Sequence, residues 1–128
     1  MRKLTLQILG SILALIGLLG FLFSGNEALN NLIHLSLTHN LLHLLSGAII
    51  LGVSSNDKYS LWAARTFGIL YLLISVLGLI NNTLFGLLTV TPLMEVIHFI
   101  IAALTLYVGF KKEATQTESA SSTQNIEQ

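Results

Sequence analysis

Long unbroken apolar runs constrain this chain more than any other feature. Leu4–Phe23, Leu32–Val53, Leu61–Ile80 and Leu93–Phe110 each come close to or exceed the roughly 20 residues that an α-helix needs to cross a hydrocarbon core about 30 Å thick. The first two contain no charged residue, the third only Arg65 near its start, and the fourth only Glu95. Strands of a membrane barrel are about half as long and alternate in polarity. Runs of this kind therefore read as helices, whose backbone groups all pair internally. Charged residues make up 9% of the 128 residues, against roughly 25% in a soluble domain, too few to cover a water-facing surface. The expected fold is all-α: an integral membrane four-helix bundle over residues 1–112. Residues 113–128 read as a disordered cytoplasmic tail, because Ser, Thr, Gln and Glu dominate there and leave almost nothing to bury.

The basic residues set an orientation. Arg2 and Lys3 precede the first run, Lys58 and Arg65 flank the turn between the second and third, and Lys111 and Lys112 follow the fourth. The intervening segments Ser24–Asn31 and Asn81–Pro92 carry no Lys or Arg. All six basic residues thus fall on one side, which the positive-inside rule assigns to the cytoplasm. A multi-pass cell-membrane protein with both termini cytoplasmic is expected. Trp62, Tyr59 and Tyr107 would form an interfacial belt on that side, with Arg65 reaching toward headgroups. The first run exceeds a signal-peptide h-region of roughly 7–15 residues, so it reads as a retained helix. Zero net charge gives no reason to expect nucleic acid; membrane lipid is the expected partner. The absence of cysteine excludes disulfides, iron–sulfur clusters and thiolate zinc sites.

Runs one and three overlay at a constant offset: Gly10, Leu13, Gly17 and Gly20 match Gly68, Tyr71, Ser75 and Gly78. These positions share one helical face, and small residues there let membrane helices approach closely. Runs two and four overlay as well, with Asn40, His43, Gly47 and Ile50 on Glu95, His98, Ala102 and Thr105. The chain thus reads as two tandem, pseudo-symmetric helical hairpins. Gly10, Gly17, Gly20, Gly47, Gly68, Ser75, Gly78 and Ala102 are its helix-packing residues, and such seams also suit a homo-oligomer. The overlay puts His43 and His98 at comparable depth, near mid-height or slightly outward of it. Facing stripes would gather His39, Asn40, His43, Glu95 and His98 into one buried polar cluster.

These motifs carry a resemblance. His39, Asn40, His43 and Gly47 follow the pattern H-N-x-x-H-x-x-x-G, and Ala64-Arg65 precede Gly68 and Tyr71 in an aromatic- and glycine-rich helix. A second pattern, D-N-x-x-H-x-x-x-G, is met by Met94, Glu95, His98 and Ala102 only at the histidine. Over roughly residues 4–110 the chain resembles a bacterial four-helix membrane protein family known as domain of unknown function 4383. The resemblance implies a fold and a membrane location and no reaction. The acid displaced by one residue, about 100° around the helix, keeps a carboxylate role from carrying over.

Three readings of the polar stripe stand open. In the first, the protein is non-enzymatic, with no cofactor, and the polar side chains hydrogen-bond helix to helix, at about 0.6 kcal/mol each on average. In the second, the stripe binds a metal or haem. His39 and His43 at i, i+4 can share an ion, with His98 and Glu95 as further candidates, or His43 and His98 can hold a haem. A di-iron bundle would need more carboxylates than the spans supply. The third is proton or solute movement, since ionisable groups inside a membrane mark pathways, although the inner halves of these helices are nearly all apolar. No nucleophile–base pair, phosphate loop or dinucleotide fingerprint is present.

Overall fold

The computed structural model describes residues 1–33, 36–86 and 88–111. The expected tail, 113–128, lies outside them, as does His34. The described residues form α1 (Arg2–Leu22), α2 (Glu27–Ile33), α3 (Leu37–Ser54), α4 (Asp57–Ile80), a 3₁₀ turn at Leu84–Gly86, and α5 (Pro92–Phe110), with no strand among them. Helices α1, α3, α4 and α5 are long and apolar enough to cross a membrane.

Capping chemistry rather than hydropathy sets where these helices begin. The Ser36 hydroxyl accepts from the His39 amide at 3.2 Å, which starts α3 at Leu37 and leaves Leu32 in the separate short helix α2. The second apolar run is therefore two helices rather than one. Asn56 Oδ1 accepts from the amides of Lys58 and Tyr59 at 3.0 and 3.2 Å. With Asp57 in the first turn, this starts α4 ahead of its apolar run, as an N-cap and a favourable dipole interaction dictate. Thr91 caps α5, with Pro92 at its first position, where a missing amide proton costs nothing.

Helix α1 packs most closely on α3, and α4 on α5. The buried stripe of α1 is Arg2, Leu6, Gly10, Leu13, Gly17 and Gly20; that of α4 is Ser60, Ala63, Ala64, Gly68, Tyr71, Ser75 and Gly78. Buried positions of α3 include His39, Asn40, Gly47 and Ile50, and those of α5 include Glu95, His98, Ala102 and Thr105. Backbones nearly touch at the glycines. A Cβ on Gly17 would lie 2.6 Å from the Leu44 nitrogen and 2.7 Å from the Asn40 carbonyl oxygen; one on Gly47 would lie 2.6 Å from the Gly10 oxygen. The opposite faces expose Ile8, Leu15, Ile49, Leu73, Val96 and Ile100.

Each end of the bundle is tied differently. At the basic end the buried Arg2 donates from Nε to Ser60 Oγ at 3.2 Å and from Nη2 to the Asp57 carbonyl at 3.3 Å, and Lys3 Nζ pairs with Asp57 at 3.0 Å. At the other end, Leu84, Phe85 and Gly86 take left-handed φ values of 42°, 59° and 82°. The chain then returns across the bundle. The Val90 amide donates to the Asn82 carbonyl at 2.8 Å, and the Thr91 hydroxyl to the Leu32 carbonyl at 3.0 Å.

Candidate metal centre

His39 and His43 stand one turn apart on α3, so their imidazoles lie along the same helix face, ring centroids 4.3 Å apart. His98 of α5 meets them, its centroid 6.0 Å from that of His39 and 6.2 Å from that of His43. One ring nitrogen from each of the three falls within 4.8 Å of the other two. His39 and His98 are buried, and His43 is half-buried. Tyr71 of α4 completes the aromatic group, its ring centroid 5.6 Å from that of His98.

The group lies toward the end without basic residues. His43 follows the start of α3 at Leu37, and His98 the start of α5 at Pro92, each by about 9 Å at 1.5 Å per residue. For His43 this is farther from mid-height than the apolar run alone implies, because α3 begins only at Leu37; for His98 the helix start adds nothing to what the run implies. A cavity of about 170 Å³ touches all three imidazoles. Leu42, Leu70, Ile74, Leu88 and Val90 supply apolar walls, and Ser46 and Tyr71 bring hydroxyl groups. Ser46 escaped the sequence analysis, although it follows His39 and His43 at i+7 and i+3 on one face. Leu88 and Val90 left no periodic signal, because they come from the irregular return.

Asn40 and Glu95 do not join the histidines. The Asn40 side chain fills the notch above Gly20, and the Glu95 carboxylate the notch above Gly78, so closely that a Cβ on either glycine would overlap it. The cause is rotation: Asn40 follows His39 by about 100° around the helix and turns toward α1. Among the described residues, Asn40 Nδ2, both Glu95 oxygens and His98 Nδ1 are buried without a hydrogen-bond partner. Glu95 is thus not placed to ligate with the histidines. All eight small residues singled out for packing, from Gly10 to Ala102, are buried. Trp62 is largely exposed. Arg65 reaches the last residues of α5: Nε donates to the Gly109 carbonyl at 2.9 Å, and the guanidinium lies 4.6 Å over the Phe110 ring centroid.

Three imidazoles form a donor set suited to zinc, copper, nickel or iron. The cavity of about 170 Å³ is smaller than the roughly 300–1,000 Å³ of pockets that hold cofactor-sized ligands.

The fold and this pocket define a class: all-helical proteins with four helices apolar enough to cross a membrane and imidazoles gathered between them. Within it, the chain belongs to the family described as Domain of unknown function (DUF4383), which covers residues 3–111. No curated protein and no solved structure matches the chain.

Proposed function

We propose that this is a multi-pass membrane protein that holds one transition-metal ion on His39, His43 and His98. One observation carries the proposal. Three ring nitrogens from two helices converge within 4.8 Å. A separate fact supports it: His98 Nδ1 is buried without a hydrogen-bond partner among the described residues. Leaving such a group unsatisfied costs roughly 1–3 kcal/mol, which a metal bond offsets. Tetrahedral coordination at about 2.0–2.1 Å places nitrogens about 3.4 Å apart, within reach of small ring rotations. If polar side chains only linked helix to helix, His98 would be expected to donate or accept across the seam.

The membrane setting is supported by the apolar side chains exposed along all four long helices, since a soluble protein rarely leaves so large an apolar surface uncovered. With Arg2, Lys3, Lys58, Arg65 and Lys111 at one end, both termini are cytoplasmic and the metal site opens toward the outer side. Two tandem, pseudo-symmetric hairpins fit the packing. The buried α1 stripe and the α4 stripe coincide at one constant offset, and Asn40 lies over Gly20 as Glu95 lies over Gly78.

The test is metal analysis of the purified protein in detergent, with cobalt(II) titration of the metal-stripped form. One ion per chain is expected, lost in His98→Ala and His39→Ala and kept in Glu95→Gln and Asn40→Ala. Circular dichroism confirms that each variant stays helical. A protein that takes up no zinc, copper, nickel or cobalt overturns the proposal. So does uptake that survives loss of His98 in a folded variant.

A further inference from the structure

We infer that the three-histidine centre takes a small anion as a fourth ligand, received in the adjoining cavity with the Tyr71 hydroxyl donating a hydrogen bond to it. The inference rests on the metal reading above and goes one step past it, to the class of molecule the site receives.

Four features lead there. First, the protein supplies three donors: among the described residues, the group that can hold an ion is His39, His43 and His98, and Glu95 lies instead against Gly78. An ion with three protein ligands keeps a fourth position for water or an exogenous ligand. Second, that position has space. The cavity of about 170 Å³ borders all three imidazoles and equals about six waters at roughly 30 Å³ each, enough for a ligand of a few heavy atoms. Third, the charge is unbalanced. Three neutral imidazoles leave a divalent ion with its full charge, and no carboxylate lines the cavity. A buried charge without a counter-charge is costly, so an anion outcompetes a neutral ligand. Fourth, the walls are apolar apart from the Ser46 and Tyr71 hydroxyls; Ser46 hydrogen-bonds the Tyr71 oxygen, which leaves the Tyr71 O–H to donate to an anion while Leu42, Leu70 and Ile74 exclude competing water.

Azide binding to the cobalt(II)- or copper(II)-loaded protein in detergent, followed by its visible absorption, tests this. Saturable spectral change is expected, with affinity about tenfold weaker in Tyr71→Phe, the size of one lost hydrogen bond to a charged group. Ile74→Phe, which fills the cavity, should retain the metal and lose the azide response; Glu95→Gln should behave as the parent. A loaded protein whose spectrum ignores azide overturns the inference and leaves the metal reading standing. A phenolate charge-transfer band before azide is added, absent in Tyr71→Phe, also overturns it, because Tyr71 would then be the fourth ligand itself. Failure to load any metal shows as no absorption before azide is added, and overturns the metal reading together with this one.

Discussion

Replacing glycine by alanine at two places on α3 separates backbone packing from helix propensity. Gly47 and Gly52 lie on the same helix, so the intrinsic gain from Gly→Ala, about 0.8–1.0 kcal/mol, is shared by both. Their surroundings differ. A Cβ on Gly47 would sit 2.6 Å from the Gly10 carbonyl oxygen and 2.9 Å from the Ala14 Cα, while one on Gly52 would meet nothing within 4 Å. The atoms struck at Gly47 are backbone, which cannot rotate aside, so α1 and α3 must separate along their closest seam. Overpacking of this kind costs about 1–3 kcal/mol. Gly52→Ala should therefore stabilise by up to about 1 kcal/mol, and Gly47→Ala should fall below it by about 1–3 kcal/mol. Unfolding of both variants in mixed micelles of increasing denaturing-detergent fraction, read by circular dichroism, gives the difference directly. Equal stabilities, or Gly47→Ala the more stable, would refute close α1–α3 contact as the basis of this half of the bundle.

Relieving the left-handed turn should help: Phe85, at φ 59° and three-quarters exposed, should gain about 1 kcal/mol on substitution by glycine, seen as a higher midpoint in the same unfolding assay. Arg65→Ala removes a charged donor from the Gly109 carbonyl and a cation from the Phe110 face. Because Arg65 is only half-buried, a loss of about 1–2 kcal/mol is expected, with Arg65→Lys intermediate because it keeps the charge without the planar fork. The native chain has no cysteine, so single-cysteine variants report orientation cleanly. Asn82→Cys should react with an impermeant maleimide on intact cells and Lys58→Cys only after permeabilisation; the reverse pattern would invert the topology.

The long helices were legible because membrane-length apolar runs leave few alternatives, and the small residues of their seams stood out through helical periodicity. Helix starts were less legible. Ser36, Asn56 and Thr91 each cap a helix, and hydropathy does not register a cap; the second run accordingly hid the break between α2 and α3. The pairing of His39 with His43 followed from their i, i+4 spacing. The arrival of His98 beside them depends on which faces of α3 and α5 oppose, a tertiary choice that spacing on either helix leaves open. For the same reason Asn40 and Glu95, counted with the histidines, turn out to fill glycine notches on α1 and α4. The left-handed Leu84 and Phe85 left no trace, since neither residue type favours that backbone region.

The histidines come from different halves of the chain. His39 and His43 ride on α3, which is held tightly by α1, and His98 rides on α5, which is held tightly by α4. The backbones of α3 and α5 make no comparable approach of their own, so imidazoles span the gap where main-chain packing is sparsest. The proposed ion would therefore rivet two pairs of helices together at that point, and its affinity would include whatever work is needed to draw them together. On that reading, stripping the ion would loosen the joint between α3 and α5 before it disturbed the α1–α3 and α4–α5 seams.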